Sequence, residues 1–476
     1  MPLEETNKRK FNFASYGVVV VFLCLEILAF LGFSLGQNII LYGGLSIALF
    51  VLVLIITFRQ IKLDGLATYA FFLFPIFIFS LLSAISIFTT ESDGAFGTLY
   101  ASFVPVALTL FAACGYLISK IKSFDISKAM LVIYSALAAL VAINLLINMI
   151  YFVPFYTITY KNYFTFFAGK PSPVPIGKMA YMLFGFEIVE VSIEYWTIYP
   201  ALLLSSALAL LFISPKEHRR LFIVYACYAA LAFISLLFTI NKTTLIYILP
   251  MLLFLGTFLV YVKFPQTHKV LKIASYVFIV LFVLGFFLLF LNSQTWGGVA
   301  GFNSFIEGNK LTNKLFNNGL LAPMKVILWE ALNSAKMFGS FVGNISSEGY
   351  GIYQDMSGSW IFDNILTSGI FGAAFFMFAF VIGARQLHQY YLKSKDALAN
   401  KVMVIGFVLA VFSYTLLGYD GTPLINSDRL YPIYMFAPFI IALFLMSYAF
   451  KNEEKEAESA QLNENKEEED NETEVL

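Results

Sequence analysis

Runs of about twenty consecutive apolar residues recur along this chain, and they restrict its fold more than any other feature. The run Ile273–Leu291, for example, contains no charged residue. A helix of that length crosses a bilayer core of about 30 Å. In lipid, every backbone N–H and C=O must be paired within the protein, so runs this long read as helices. Twelve spans are predicted, at 13–35, 38–58, 67–88, 98–118, 130–155, 195–213, 221–240, 243–262, 271–291, 365–386, 401–419 and 431–450. The expected fold class is therefore all-α: a polytopic membrane protein of about 12 transmembrane helices with two long outer-face loops.

Composition agrees. The 476 residues are 59% hydrophobic and 13% charged, about half the charge of an ordinary soluble domain. Of the 60 charged residues, 14 lie in 451–476 and only 46 in the other 450. That supply cannot clothe a soluble globule, which excludes soluble enzyme folds, secreted disulfide scaffolds and nucleic-acid binders. Cys24, Cys114 and Cys227 all sit within apolar runs at spacings that suit neither a metal nor a disulfide. The apolar stretch after Lys8, Arg9 and Lys10 is too long for a signal-peptide core and reads as a retained first span.

The charges also orient the chain. With the amino terminus in the cytoplasm, 21 of the 30 Lys and Arg fall on the inner face and nine on the outer, as the positive-inside rule requires. Three regions follow: a cytoplasmic segment 1–12, a membrane domain 13–450, and a cytoplasmic tail 451–476. The tail carries eleven Asp and Glu against Lys451, Lys455 and Lys466, with no aromatic residue. It reads as a disordered, solvating tail, the alternative being a docking segment. Within the spans, Glu26 is the clear charged exception, and either marks a relay or pairs with a polar neighbour. No fixed-period repeat and no paired broken helices of the inverted-repeat transporter type are seen.

Two outer loops stand out by length, 156–194 and 292–364. Both are rich in Tyr, Phe, Trp and Gly, so the chemistry is expected there. His218, His268 and His388 all fall on the cytoplasmic side, leaving general-base work on the outer face to a carboxylate and ruling out histidine-ligated zinc. Lys242 lies in a tight outer turn at the start of a helix, where a lysine beside outward-pointing N–H groups makes an anion site; a snorkelling anchor is the alternative. As a helix, Lys325, Trp329, Asn333 and Lys336 share an arc of roughly 80°. That stripe suits a phosphate-bearing sugar, with ammonium groups for phosphate and indole for the ring; an interfacial amphipathic helix shows the same spacing. Asp363 and Asn364 are expected at the outer mouth of the tenth span, as a helix cap or as a base facing the pocket. Glu187, Glu190 and Glu194 fall within roughly 60° on a helix, where they line a solvated face, pair with the basic stripe or bind sugar hydroxyls.

The order of these features resembles the superfamily of bacterial O-antigen ligases and O-antigen polymerases, integral membrane glycosyltransferases. There a short outer turn carries Ser-Arg or Ser-Lys; here Asn241-Lys242-Thr243 occupies it. A large outer loop follows two spans later with a basic residue three before a Trp; here Lys325 and Trp329 have one more residue between them. The loop closes on a Gly-rich stretch and a His-Asn or Asp-Asn pair, here Asp363-Asn364, then Leu366-Thr367-Ser368-Gly369-Ile370-Phe371-Gly372. The resemblance covers roughly 195–390. Lys stands at both positions where Arg is more usual, and the ligase branch's outer-loop His is absent, which favours a polymerase.

What the resemblance implies is a nucleotide-independent glycosyltransferase of the bacterial cytoplasmic membrane with no cofactor. Its donor is an oligosaccharide on polyprenyl diphosphate, and its product a capsular, exopolysaccharide or O-antigen glycan. Lys242 and Lys325 would neutralise the leaving diphosphate and Asp363 would take the acceptor proton. Trp329, Asn333, Lys336, Asn364, Glu187 and Glu190 would bind substrate. Membrane lipid and other polysaccharide-export proteins are the implied partners, and nucleic acid is not. The alternatives are a ligase moving finished glycan to a final acceptor and a non-enzymatic flippase of lipid-linked oligosaccharide.

Overall fold

The computed structural model describes residues 47–48, 50–55, 70, 73–78, 81–82, 109–110, 112–118, 124–156, 193–213, 219–239, 242–291, 308–310, 360–417 and 441–450. Regular structure among them is helical throughout, with no strand. We number α1 Ile126–Tyr156, α2 Ile193–Ile213, α3 Arg219–Thr239, α4 Lys242–Lys263, α5 His268–Leu291, α6 Trp360–Lys393 and α7 Leu398–Leu417; α8 is Ile441–Phe450. The all-α expectation holds for these residues.

The helices follow the apolar runs closely, and several extend past them. α4 exceeds its expected span, 243–262, by a residue at each end. α6 has 34 residues, about 51 Å at 1.5 Å per residue. It begins five residues before the predicted span and continues through Arg385, His388 and Lys393. Hydropathy registers the apolar middle of such a helix; the backbone hydrogen bonds continue until the chain turns at 394–397. Among the described residues, two helices are long and apolar enough to cross a membrane, over Ile126–Ile143 and Ile370–Lys393, and five shorter apolar helices accompany them.

α2 lies at the centre, packed against α1, α3, α4 and α7. α7 is buried almost continuously from Val402 to Ser413, and every residue from 441 to 450 is buried too. The contacts are rich in small side chains, with Ala112, Ala232, Ala410, Ala442, Ser205, Ser235 and Ser447 all inaccessible. Small residues let helix backbones approach closely, so dispersion and short hydrogen bonds can hold the bundle where an apolar solvent weakens the hydrophobic effect. At Gly115 the approach is close, since a Cβ there would stand 2.9 Å from the Cα of Phe444. Ser447 joins the same two segments, its hydroxyl donating to the carbonyls of Leu443 at 2.9 Å and Ala112 at 3.4 Å.

Among the described residues, one helix also presents an apolar face outward. On α5, Val270, Ile273, Val277, Val280, Leu281 and Leu284 are each more than half exposed. A soluble monomer rarely presents so continuous an apolar face.

Candidate functional site

Connections fix which helix ends lie together. α3 finishes at Thr239 and α4 starts at Lys242, leaving two residues for the turn. At the far end of α4, Tyr261 shares a 3.2 Å hydrogen bond with His388 near the end of α6, and Lys263 lies 4.0 Å over the ring of Phe212 at the end of α2. Helices α2, α4 and α6 therefore finish together. Their starts, which carry Glu194, Lys242 and Asp363, share the opposite end of the bundle. By helical rise, Lys242 lies about 28 Å from Tyr261 along α4, and Asp363 about 37 Å from His388 along α6.

Lys242 is the first helical residue of α4, and the first turn contains no acidic side chain. The free N–H groups of that turn and the positive pole of the helix stand beside it. A cation there costs the helix about 0.3–1 kcal/mol rather than stabilising it. The same concentration of positive potential is what an anion recognises. Helix stability therefore does not account for a lysine at this position.

Asp363 and Asn364 sit differently from the expectation. α6 starts at Trp360, so Asp363 is its fourth residue and Asn364 its fifth, already past the capping position. The helix-cap account of Asp363 is therefore corrected: a cap lies before the first helical residue, where its side chain can reach the N–H groups of the first turn. Lys325, Trp329, Asn333, Lys336, Glu187 and Glu190, together with Glu26 and His218, lie outside the described residues. The structure thus brings Glu194, Lys242 and Asp363 to one end by their helix positions.

The opposite end holds a cluster that sequence reasoning did not find. His268 stacks on Tyr261, with ring centroids 3.9 Å apart and planes 15° from parallel, and its Nε2–H donates to the Tyr261 carbonyl at 2.8 Å. Tyr391 presents its edge to Tyr261 at 5.7 Å, and Lys401 Nζ donates to the Tyr391 carbonyl at 3.0 Å. Beside them, the hydroxyls of Tyr390 and Tyr448 donate to Asp396 Oδ2 at 2.9 and 3.2 Å. These groups connect five helices, α4 to α8, which suits fastening helix ends. The only local signal was the pair His268 and Tyr261, seven residues apart around Pro265. Among the described residues, no three His, Cys, Asp or Glu side chains are grouped to hold a metal.

Of the cysteines, Cys114 is buried and Cys227 exposed on α3. No protein-family model, curated protein or solved structure matches the chain.

Proposed function

We propose that this chain is a multi-pass protein of the bacterial cytoplasmic membrane that polymerises oligosaccharide repeat units carried on polyprenyl diphosphate at the outer face. Both termini lie in the cytoplasm in this reading, with about twelve helices crossing the bilayer. The observation that carries it is the shared helix-start end: a lysine placed against helix-stability preference and an aspartate beyond the capping position, in the order that resembles the O-antigen polymerase pattern. The outward apolar face of α5 supports a lipid surround.

The chemistry follows from the donor. The acceptor hydroxyl oxygen attacks the anomeric carbon of the donor sugar as the bond from that carbon to the diphosphate breaks. Lys242 and Lys325 neutralise the departing diphosphate, and Asp363 accepts the hydroxyl proton. Energy is stored in the sugar–diphosphate bond, so no nucleotide enters. Trp329, Asn333, Lys336, Asn364, Glu187 and Glu190 hold the glycan.

The test is reconstitution. Purified protein in proteoliposomes is given polyprenyl-diphosphate-linked repeat units, and products are resolved by length. A ladder that requires the protein is expected. Transfer of finished glycan to a lipid acceptor would assign a ligase instead. Movement of the donor between leaflets without any new glycosidic bond would assign a flippase.

A further inference from the structure

The end of the bundle where α4 and α6 finish is basic. Lys263, Lys269, Lys272, Arg385, Lys393 and Lys395 are all exposed there. The described carboxylates at this end are both engaged: Asp125 pairs with Lys128 at 3.3 Å, and Asp396 accepts the hydroxyls of Tyr390 and Tyr448. Among the described residues, none of the six cations has a carboxylate within ion-pair distance. A basic rim of this kind calls for an anionic occupant.

The chain supplies one beside it. The Tyr448–Asp396 hydrogen bond holds this stretch of α8 at the rim, against the turn that carries Lys395 and follows Lys393. The described part of α8 reaches Phe450, and the next 26 residues hold eleven Asp and Glu against three Lys. Fully extended, that length reaches at most about 90 Å, and Glu453 and Glu454 lie within a few residues of the anchor.

We propose that residues 451–476 dock on this rim, their carboxylates pairing with Lys393, Lys395 and the neighbouring cations. Each exposed ion pair is weak alone. A short tether, however, sets an effective concentration of about millimolar, so several weak pairs act together without any loss of translational freedom on docking. A docked tail ties α8 to the α6–α7 and α4–α5 turns by electrostatics, adding to the tyrosine clamp on Asp396. The inference is independent of the glycosyltransferase reading.

The test uses the full chain in neutral detergent and a zero-length carbodiimide, which joins a carboxylate to an amine only at contact. Cross-linked peptides are mapped by mass spectrometry. At ~50 mM salt, links within one chain are expected between tail Asp or Glu and Lys393, Lys395, Lys269 or Lys272. Raising salt to ~0.5 M, where the screening length falls to about 4 Å, should reduce their yield at least ~5-fold. In the K393E/K395E double variant the links to Lys269 and Lys272 should fall similarly. Both changed residues are exposed, and an unchanged elution volume checks the fold. Added anionic phospholipid should leave the links in place.

Four outcomes would overturn the proposal. Yields independent of salt mean proximity without docking. Links found only between chains of a cross-linked dimer assign the rim to a second copy. Loss on adding anionic lipid assigns it to headgroups. Absence of any tail-to-rim link removes the idea outright.

Discussion

Tyr261 and His388, 127 residues apart in the chain, share a 3.2 Å hydrogen bond that ties the end of α4 to the end of α6. Because His268 also stacks on the Tyr261 ring, one side chain fastens the α4–α5 turn as well. The hydroxyl and the ring can be tested separately. Tyr261→Phe keeps the stack and removes the hydrogen bond, and should lower stability by about 0.5–1.5 kcal/mol. Tyr261→Ala also removes the stack and the packing against Tyr391, and should cost about 2 kcal/mol or more. Thermal unfolding in detergent measures both. Equal losses for the two variants would show that the ring contributes nothing.

Close helix approach makes a second prediction. A methyl group added at Gly115 would meet the Cα of Phe444 at 2.9 Å, backbone that cannot rotate away. At Gly406 it would meet only Leu255 Cδ1, at 3.3 Å, the movable end of a side chain. Gly115→Ala should therefore destabilise by about 1–3 kcal/mol, while Gly406→Ala costs less than about 1 kcal/mol. The reverse order would mean that the two helices separate readily at Gly115.

What the sequence disclosed, and what it hid, follows from the range of each interaction. The limits of α2, α3, α4 and α5 fall within three residues of the apolar runs, because those runs end at Lys263, Arg219 and similar polar punctuation. The length of α6 was concealed, since His388 and Lys393 look like a loop by hydropathy yet continue the helix. The Tyr261–His388 bond could not be read at all. Neither residue belongs to a local motif, and only the packing of α7 against both α4 and α6 brings their ends together. At the candidate site, Lys242 was found because a lysine in a tight turn is conspicuous. Asp363 is left open by the sequence between a cap and a base, and the start of α6 at Trp360, five residues before the expected span, puts it inside the helix.

Lys242 should show opposite effects on stability and on function. Removing a cation from the positive end of α4 relieves an unfavourable interaction with the helix dipole, and a carboxylate there reverses its sign. Lys242→Glu should raise stability by about 0.5–1 kcal/mol. If Lys242 neutralises the leaving diphosphate, the same change should reduce kcat by at least ~100-fold, since it places a like charge beside the departing group. The polymer-ladder assay and a melting curve on one preparation give both numbers. A Lys242→Glu protein that still makes full-length polymer would remove the residue from the mechanism, whatever its melting temperature.

Asp363 carries the sharpest test because its structural role is now small. As the fourth residue of α6 it is too late to cap the helix, and its dipole contribution is at most about 1 kcal/mol. Asp363→Asn, →Ala and →Glu should consequently all accumulate as folded protein. A proton acceptor separates them in activity. Asn matches the shape of Asp but has no carboxylate, so it should behave like Ala and leave single repeat units unjoined. Glu retains the carboxylate on a longer stem and should keep part of the rate, because a displaced base still accepts a proton at reduced efficiency. The ranking Asp, then Glu, then Asn equal to Ala is what a base requires. A residue that only orients its neighbours by hydrogen bonding would rank Asn with Asp, and wild-type chain lengths from Asp363→Asn would end the assignment.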